Sequence, residues 1–538
     1  MANSLYYAMR NWIIAAACGL LCSCSMVRNS QDFQRLAQQT ATHKITIKND
    51  IDLKGATVTL PKGCTLVLKG GTIANGNIKF DSNRLKGDLK FENCIYSGDI
   101  KVKEIDDRCF TSQDDAGTLK FLLENAIANG AKCYFNRDYK IDMKTVSGSF
   151  LALSNLNSGT DISFQGHTIY NTTSFPSPQQ KPFLSLTDVK RVTIRDCHFH
   201  DTDEHNTRRF KNSSGCTFVH CYGDCENINL LNCSQENGDC ILRSGVYVHS
   251  KNYSNQTPTR GLTNSTLMVK AINAGYGLAL YCGENLDIDI DVTSPHRGFY
   301  CAGVSNSKIH YKGFDPQETK CHILIKDAVY KKCTRNGEDV LDMKGCHDLV
   351  IKAEIDELQW GETVITFQSY GSGKREAADF SFRSEKCHHY NIDFTANIKK
   401  YPESRYFLIC NCASDSGPQG EDDMYGCKLS NIIIHDVNIT GPAKKYICLV
   451  ASHVDADITI KDCGVDAASA GRNNGYAVQV NGFATGRVRV VNGIIDNILV
   501  NEKDGGSFDV ETENTKVLNG VNYQNVQTPK RSLVRVKK

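Results

Sequence analysis

The sequence predicts an all-β chain that folds as a parallel β-helix, a solenoid of short stacked strands. Three asparagines, Asn264, Asn285 and Asn306, lie 21 residues apart, and alternating apolar residues follow each of them. A repeat near this length with an Asn at each turn is typical of β-helix coils, whose equivalent side chains stack. Successive coils are expected about 4.8 Å apart, the spacing of strands in a sheet. Residues 225–304 are therefore the centre of the predicted solenoid.

Counting along each coil predicts a column of polar side chains. The twelfth residue after the asparagine of three successive coils is Asp239, Tyr276 and Arg297 in turn. Three stacked coils place such residues within roughly 10 Å, which is the size of one or two sugar units. We therefore expect the functional site along this column, although any one of these residues alone would fit a solvated turn.

The chain begins with a segment that resembles an export signal. The apolar run 12–21 is too short to span a bilayer and is typical of the hydrophobic region of a signal peptide. It ends Leu21-Cys22-Ser23-Cys24, which resembles a bacterial lipobox. The resemblance implies cleavage before Cys24, lipidation of its thiol and, with Ser25 next, an outer-membrane lipoprotein on the cell surface or the periplasmic face. Ordinary secretion is the alternative.

The pattern divides the chain into five segments, and no later stretch is apolar enough for a transmembrane helix. The segments are a lipoprotein signal peptide (1–23), a tether (24–42), N-terminal β coils (43–103), a parallel β-helix catalytic domain (104–500), and C-terminal coils or a cap (501–538). Long insertions between coils are usually functional, and we expect them on one face of the solenoid. These insertions are 198–214, 245–261, 371–386 and 411–427.

One segment predicts a helix before the coils. Residues 118–128 carry apolar side chains at helical spacing, Asp114 precedes them and Gly130 follows. Together with the strand, turn and strand over 132–141, this helix resembles the N-terminal cap of the pectin-lyase-like superfamily of right-handed parallel β-helices. The resemblance covers residues 104–500 and implies right-handed coils, a cap over the open end of the core, and a carbohydrate-active enzyme.

Composition excludes several other classes of protein. The formal net charge is +2, so nothing indicates a nucleic-acid partner. Of the 24 cysteines, Cys18 and Cys22 lie in the signal and Cys24 is the lipid site, which leaves 21. Their spacing does not form the paired motifs of a zinc site, and we expect them as small buried apolar side chains, with a disulfide framework as the alternative. We expect a monomer.

The insertions and the corresponding corners of later coils bring further aromatic and cationic residues toward the column, on a chain of almost neutral charge. Such a surface suits an acidic polysaccharide, because Arg forks grip carboxylates and aromatic rings stack on sugar faces. The expected substrate-binding residues are Arg208, Arg209, His200, His249, Trp360, Lys320 and Arg405.

Cleavage of a uronic-acid polymer by β-elimination is the main functional hypothesis, with a glycosaminoglycan or a pectic glycan as the substrate class. The reaction needs a group that neutralises the carboxylate and a base that takes the proton from the carbon beside it. Arg297, Arg208 or Arg209 suits the first role. The candidate bases are Tyr276, His296 and His205. No cofactor is certain, but Ca²⁺ held by Glu236, Asn237 and Asp239 would be an alternative neutralising group.

Two other hypotheses remain open from the sequence. A glycoside hydrolase needs two carboxyl groups, which Asp239 with Asp201 or Asp203 could supply. The polygalacturonase-type β-helix hydrolases carry paired aspartates, but Cys240 follows Asp239 here, and the next coil lacks their Gly-His-Gly motif. The third hypothesis is a non-catalytic glycan-binding β-helix.

Overall fold

The computed structural model of the 538-residue chain describes most of its N-terminal half and the strands of its C-terminal half. The described residues are 25–39, 43–176, 179–205, 215–245, 261–293, 297–314, 339–344, 347–357, 363–368, 389–398, 406–411, 427–439, 446–450, 454–461, 478–481, 485–495, 497–501, 507–524 and 534–537.

Strands dominate the described chain. The strands are β1 (Ser25–Val27), β2 (Lys44–Ile47), β3 (Ile51–Asp52), β4 (Thr57–Thr59), β5 (Thr65–Leu68), β6 (Ile73–Ala74), β7 (Asn77–Gly87), β8 (Phe91–Glu92), β9 (Ile95–Lys101), β10 (Glu104–Asp106), β11 (Lys132–Tyr134), β12 (Tyr139–Ile141), β13 (Leu151–Ser154), β14 (Asn157–Ser163), β15 (Thr168–Asn171), β16 (Gln180–Thr187), β17 (Lys190–Arg195), β18 (His198–His200), β19 (Gly215–Tyr222), β20 (Asp224–Glu236), β21 (Cys240–Ser244), β22 (Gly261–Thr263), β23 (Thr266–Ile272), β24 (Tyr276–Glu284), β25 (Asp287–Thr293), β26 (Arg297–Phe314), β27 (Asp339–Lys344), β28 (His347–Glu357), β29 (Thr363–Gln368), β30 (His389–Ile398), β31 (Tyr406–Asn411), β32 (Cys427–Ile439), β33 (Tyr446–Val450), β34 (Val454–Lys461), β35 (Val478–Asn481), β36 (Thr485–Val491), β37 (Ile494–Ile495), β38 (Ile498–Asn501), β39 (Ser507–Glu513), β40 (Lys516–Val517), β41 (Val521–Gln524) and β42 (Val534–Lys537). The helices are α1 (Ser30–Ala37) and α2 (Asp115–Asn129), with single 3₁₀ turns at Asp107–Cys109 and Asp203–His205.

The chain packs into two compact units. The first comprises Met1–Asp142, Leu156–Tyr170 and Arg191–Cys197, and the second comprises Met143–Asn155, Asn171–Lys190 and His198–Lys538. Among the residues that the structure describes, no helix is long and apolar enough to cross a membrane.

The first unit starts with parallel coils. Strands β1, β2, β5, β7 and β4 pair in that order in one sheet, with β9 also on β7, and β3, β6 and β8 form a second sheet. Ile45 pairs with Leu66 and Leu66 with Leu85, so one buried apolar column runs through three strands. The strands of the segment predicted as N-terminal β coils thus pair in parallel.

Helix α2 is where the sequence predicts it. Asp114 caps its first turn, because its Oδ1 accepts a hydrogen bond of 2.8 Å from the Gly117 amide. Gly130 ends it in the left-handed conformation, with φ 64°, which suits a residue without a side chain. Asn125 Oδ1 accepts from the Ile100 amide of β9 at 2.7 Å, and Thr160 Oγ1 of β14 donates to a carbonyl of the helix. The helix therefore covers strands of the first unit on two sides.

The second unit is a parallel β-helix. The described strands from β19 onward pair in parallel with the equivalent strands of the next coil. One core column joins five coils in exact register, and its members are buried. They are Leu267, Ile288, Ile309, Ile351 and Phe394. Apolar residues at every second position thus form the core of the predicted solenoid.

The predicted asparagine turns are confirmed. Asn264, Asn285 and Asn306 have φ of 51°, 56° and 49°, the left-handed region that Asn tolerates better than most residues. Asn285 Nδ2 donates to Asn264 Oδ1 at 3.1 Å, which is one rung of a side-chain ladder. Asn391 makes the same bond to Asp348, at 2.9 Å, farther along the chain. The Asn positions therefore fix the backbone turn and link adjacent coils.

One register prediction needs correction. Tyr276 pairs with Arg297 as predicted, but the residue opposite Tyr276 in the preceding coil is Cys240 rather than Asp239. The cause is a bulge in β20, where the register with β23 shifts between Leu231 and Cys233. The extra residue is Asn232, with φ 54°. It moves Asp239 by one position, so the backbone column at this level is Cys240, Tyr276 and Arg297.

Cysteines contribute to the core as expected. Ten described cysteines are free thiols, and nine of them are buried. Cys197 and Cys233, which the sequence predicts inside the coils, are at most 1% exposed.

Candidate functional site

A buried ion pair lies at the turn that leads into β21. Asp239 precedes this strand and is 0% exposed, and Arg243 within the strand is 6% exposed. Arg243 Nη2 lies 2.8 Å from Asp239 Oδ2. An aspartate and an arginine removed from water in this way need hydrogen bonds to offset the cost of desolvation.

Two neighbouring strands supply those hydrogen bonds. Thr217 Oγ1 in β19 donates to Asp239 Oδ2 at 2.8 Å, and Gln180 Nε2 in β16 donates to Oδ1 at 3.0 Å. Both carboxylate oxygens therefore accept from the protein. Three donors on one carboxylate fix its orientation toward Arg243.

Tyr276 is a partly exposed neighbour of the buried ion pair. The guanidinium carbon of Arg243 lies 5.4 Å from the centre of the Tyr276 ring, within the range of a cation–π contact. Tyr276 is partly exposed, at the start of β24, and its backbone pairs with that of Arg297 in β26. The partly exposed phenol of Tyr276 thus lies next to the buried guanidinium of Arg243, and its backbone pairs with that of Arg297.

His220 completes the buried polar group. It pairs with Arg243 across β19 and β21, and its Nε2–H donates to the Gly245 carbonyl at 2.7 Å. Burial, together with the charge of Arg243, lowers the pKa of His220 to about 3. The imidazole is therefore neutral at physiological pH, and it stacks on the Tyr222 ring at 3.8 Å.

A second buried cluster holds the start of the 198–214 insertion. His205 Nε2 accepts from the Phe175 amide at 2.8 Å, so the proton lies on Nδ1, which donates to Asp201 at 3.0 Å. Asp201 also accepts from Asn171 Nδ2 and from the Cys216 amide. Burial alone raises the pKa of Asp201, but the bonds from His205, Asn171 and Cys216 outweigh it and hold the pKa below its usual value.

This second cluster has the composition of a metal site but the hydrogen bonds of an anchor. The donor atoms of Asp201, His205 and Cys216 lie within 4.8 Å of one another, and all three residues are buried. Both ring nitrogens of His205 are engaged, by Phe175 and Asp201. Burial and the nearby carboxylate raise the pKa of the Cys216 thiol well above its usual value, so the sulfur keeps its proton. We therefore interpret the cluster as a hydrogen-bonded anchor that holds the start of the insertion in place. His205, a candidate base, and Asp201, a candidate acid, both lie in it with no exposed surface.

The residues considered for calcium have different partners. The Glu236 carboxylate is exposed and lies 3.1 Å from Nδ1 of His200, a candidate substrate-binding residue. Asn237 Nδ2 donates to the Asp201 carbonyl and to Asp203. Asp239 is held by Arg243. In this arrangement the three side chains serve three separate contacts.

Several predicted site residues lie outside the described residues. They are Cys24, Arg208, Arg209, His249, His296, Lys320, Trp360 and Arg405. Arg297 is described through the pairing of its backbone.

The structure adds residues that the sequence did not single out. These residues surround the carboxylate of Asp239 and the guanidinium of Arg243. They are Gln180, Thr217, His220 and Arg243 itself. A usable signal for two of them was present. Arg243 and His220 interrupt strands that otherwise consist of apolar and small residues, where a charged or polar side chain must have a partner.

Comparisons with known proteins give similarity in structure alone. No protein-family model matches the chain, and no curated protein matches its sequence. A crystal structure of PfbA, a surface adhesin of Streptococcus pneumoniae, is similar with 12% identity and a TM-score of 0.32, over 90% of this chain and 86% of the adhesin chain. A second PfbA structure has 11% identity and a TM-score of 0.29, over 95% of each chain. The catalytic domain of a GH87 alpha-1,3-glucanase in complex with tetrasaccharides has 12% identity and a TM-score of 0.28, over 96% of this chain and 68% of that domain.

Proposed function

We propose that this chain is a carbohydrate-active enzyme, a polysaccharide lyase that cleaves a uronic-acid glycan by β-elimination. The supporting observation is the position of Tyr276, a partly exposed phenol next to the buried Asp239–Arg243 pair and in register with Arg297. A base beside two arginine positions is the arrangement that this reaction needs.

Each residue has a role in the proposed reaction. Arg297 binds the uronate carboxylate and neutralises it, which makes the neighbouring carbon acidic. Tyr276, acting as the phenolate, takes the proton from that carbon and becomes a neutral phenol. The freed electron pair forms the carbon–carbon double bond, the bond to the glycosidic oxygen breaks, and the leaving oxygen takes the proton from the Tyr276 phenol, which restores the phenolate.

The buried pair supports the base from behind. The guanidinium carbon of Arg243 lies 5.4 Å from the Tyr276 ring centre, and this cation–π contact holds the ring in its position. Asp239 holds Arg243 in place, and Thr217 and Gln180 hold Asp239. Asp239 and Arg243 are positioning residues in this scheme, because burial keeps them from the sugar.

The proposed setting follows the sequence. The substrate is an acidic polysaccharide, of the glycosaminoglycan or pectic class, and the enzyme acts as a monomer anchored by a lipid on Cys24. Ca²⁺ remains an alternative neutralising group at Glu236 and Asn237, whose oxygens lie at the same turn as Asp239.

An ultraviolet assay for unsaturated uronide ends tests the proposal. The protein without its signal is incubated with chondroitin, hyaluronan, heparin, pectin and alginate, with and without a chelator. We expect absorbance to rise on one substrate, and Tyr276→Phe and Arg297→Ala to lower the rate by about 100-fold or more. Tyr134→Phe, a partly exposed tyrosine of the first unit, is the matched control and should leave the rate unchanged.

Three results would redirect the proposal. Full activity of Tyr276→Phe would remove this residue as the base. New reducing ends without absorbance would indicate a glycoside hydrolase. No new ends on any substrate would favour a glycan-binding β-helix.

A further inference from the structure

The first unit has a group of cations on one side of three neighbouring strands, β2, β5 and β7. Residues two apart on a strand lie on the same side of a sheet, and the residues that alternate with these cations are buried and apolar. The cations are therefore on the outer side of the sheet. We call these five exposed residues the cationic face. They are Lys44, Lys48, Lys69, Arg84 and Lys86.

The register of the strands sets the size of the cationic face. Lys44 lies opposite Thr65, and Thr65 lies opposite Arg84. Lys44 and Arg84 are therefore two strands apart, which is about 10 Å. Lys48 follows Lys44 by four residues, which is about 13 Å along the strand. The short side chains of Thr65 and Val67 in β5 lie between the cations, so a linear chain can lie flat across the centre.

The five cations lack acidic partners. None of them forms an ion pair with any residue that the structure describes, whereas exposed sheet faces elsewhere pair their charges across strands. Lys270 Nζ lies 3.8 Å from Asp291 Oδ2, and Arg489 Nη2 lies 2.9 Å from Glu513 Oε2. Because like charges on one sheet face repel each other, a ligand that supplies negative charge would stabilise the cationic face.

Acidic residues are found only at the border of the cationic face. Arg84 lies opposite Lys101 of β9, and Lys101 Nζ is 3.4 Å from Asp99 Oδ2. Asp88 follows the end of β7. The wider segment is basic as well, since residues 25–80 contain eight Lys or Arg and three Asp, on a chain whose net charge is +2.

We propose that the cationic face binds a linear sulfated polysaccharide. Lys and Arg bind sulfate through charge-assisted hydrogen bonds. A polymer with one carboxylate for every two sugars would bring only about one or two charges to an area of this size, whereas sulfate esters add charge on individual sugars. The inference goes beyond the proposed cleavage and does not depend on it, because Tyr276 and Arg297 belong to the second unit.

The side chains on these strands favour a charged glycan over a membrane or a neutral glycan. None of the exposed large apolar side chains among the described residues lies on β2, β5 or β7, and such side chains are typical of surfaces that insert into lipid. The single aromatic residue of the three strands, Phe80, is buried. Charge, rather than stacking on sugar rings, therefore selects the ligand.

Fluorescence anisotropy with a labelled heparin octasaccharide tests the inference on the full chain without its signal. We expect binding that weakens at least about tenfold when NaCl is raised from about 0.15 M to about 0.5 M. The triple variant Lys44→Gln/Arg84→Gln/Lys86→Gln should bind at least about tenfold more weakly than the unmodified chain. A hyaluronan octasaccharide, which carries carboxylates but no sulfate, should also bind at least about tenfold more weakly than heparin.

A matched triple variant controls for net charge. Lys54→Gln/Lys79→Gln/Lys120→Gln removes the same charge from exposed lysines of the first unit that lie outside the cationic face. Its affinity for the heparin octasaccharide should stay within about twofold of that of the unmodified chain. Equal weakening by the two triple variants, or no binding by the unmodified chain, would overturn the inference.

A charge-conserving variant controls for folding. Lys44→Arg/Arg84→Lys/Lys86→Arg keeps every charge and should bind within about threefold of the unmodified chain. Phosphatidylglycerol vesicles are the comparison for a lipid surface. Binding to these vesicles through the cationic face, without binding to heparin, would overturn the inference in favour of a membrane. Binding of heparin without cleavage of any glycan would contradict the proposed lyase and support this inference.

Discussion

At the scale of single residues, the Asp239–Arg243 pair is costly to break from either side. The three donors on the Asp239 carboxylate come from β16, β19 and β21, so this residue ties three consecutive coils together. A neutral amide in its place would leave the Arg243 charge buried without its counter-ion.

Asp239→Asn should therefore lower both stability and activity. We expect a loss of about 3 kcal/mol in the free energy of unfolding, since an uncompensated charge would remain in the core. Urea denaturation of the variant and of the unmodified chain measures the loss. Asp203→Asn is the control, because Asp203 is exposed, and its effect should stay within about 0.5 kcal/mol. Equal effects of the two substitutions would contradict the role given to the buried pair.

His220 should make the fold sensitive to acid. Its pKa is about 3 in the folded chain against an ordinary value of 6.5, so on acidification the unfolded chain binds the proton first. Stability should be unaffected by this residue above about pH 6.5 and should decrease between about pH 6.5 and about pH 3, at up to about 1.4 kcal/mol per pH unit.

A pH series of urea midpoints measures this dependence. In His220→Gln the amide can still donate to the Gly245 carbonyl but does not titrate. The difference between the unmodified chain and the variant should therefore change with pH in this window. A difference that stays constant from pH 7 to about pH 4 would rule out a buried neutral histidine.

At the scale of elements, the turn asparagines and the bulge have opposite consequences for prediction. The turn asparagines can be recognised in the sequence, because a left-handed turn favours Asn and the same turn recurs from coil to coil. The bulge at Asn232 cannot be recognised in this way, because one additional residue leaves the alternation of apolar and polar residues intact on either side of it. The predicted column was therefore correct for Tyr276 and Arg297 and displaced by one residue for Asp239.

Substitutions at Asn285 should separate conformation from the side-chain ladder. Asn285→Val places a β-branched residue at φ 56° and removes the bond to Asn264, so we expect a loss of about 2 kcal/mol in the free energy of unfolding. Asn285→Gly keeps the conformation and removes only an exposed hydrogen bond, so its loss should be about 0.5 kcal/mol. Urea denaturation of both variants tests the order. A larger loss for Gly than for Val would mean that the ladder, and not the turn, holds the coils together.

At the scale of the whole molecule, the architecture was readable from the sequence because it is repetitive. Apolar alternation, Asn spacing and the Asp114 and Gly130 signals around α2 each act locally, and the same local rule recurs in coil after coil. The fold class and the helix are accordingly confirmed.

The composition of the site was harder to predict because it depends on which residues meet. Gln180 and Asp239 are 59 positions apart, yet their side chains lie 3.0 Å apart. Arg243 and His220 meet only because β19 and β21 share a register. Nothing in either segment alone indicates the partner, so the sequence pointed to Tyr276 and Asp239 but not to the group that positions them.

The constant spacing between the turn asparagines also affects how the length of such a chain can change during evolution. Asn264 and Asn285 occupy equivalent turns exactly one coil apart and bond to each other. A deletion of residues 264–284 would bring Asn285 into the place of Asn264 and leave the flanking strands in phase. Lineages could thus lengthen or shorten this protein by whole coils. Such an event here would remove Tyr276 while preserving the stack.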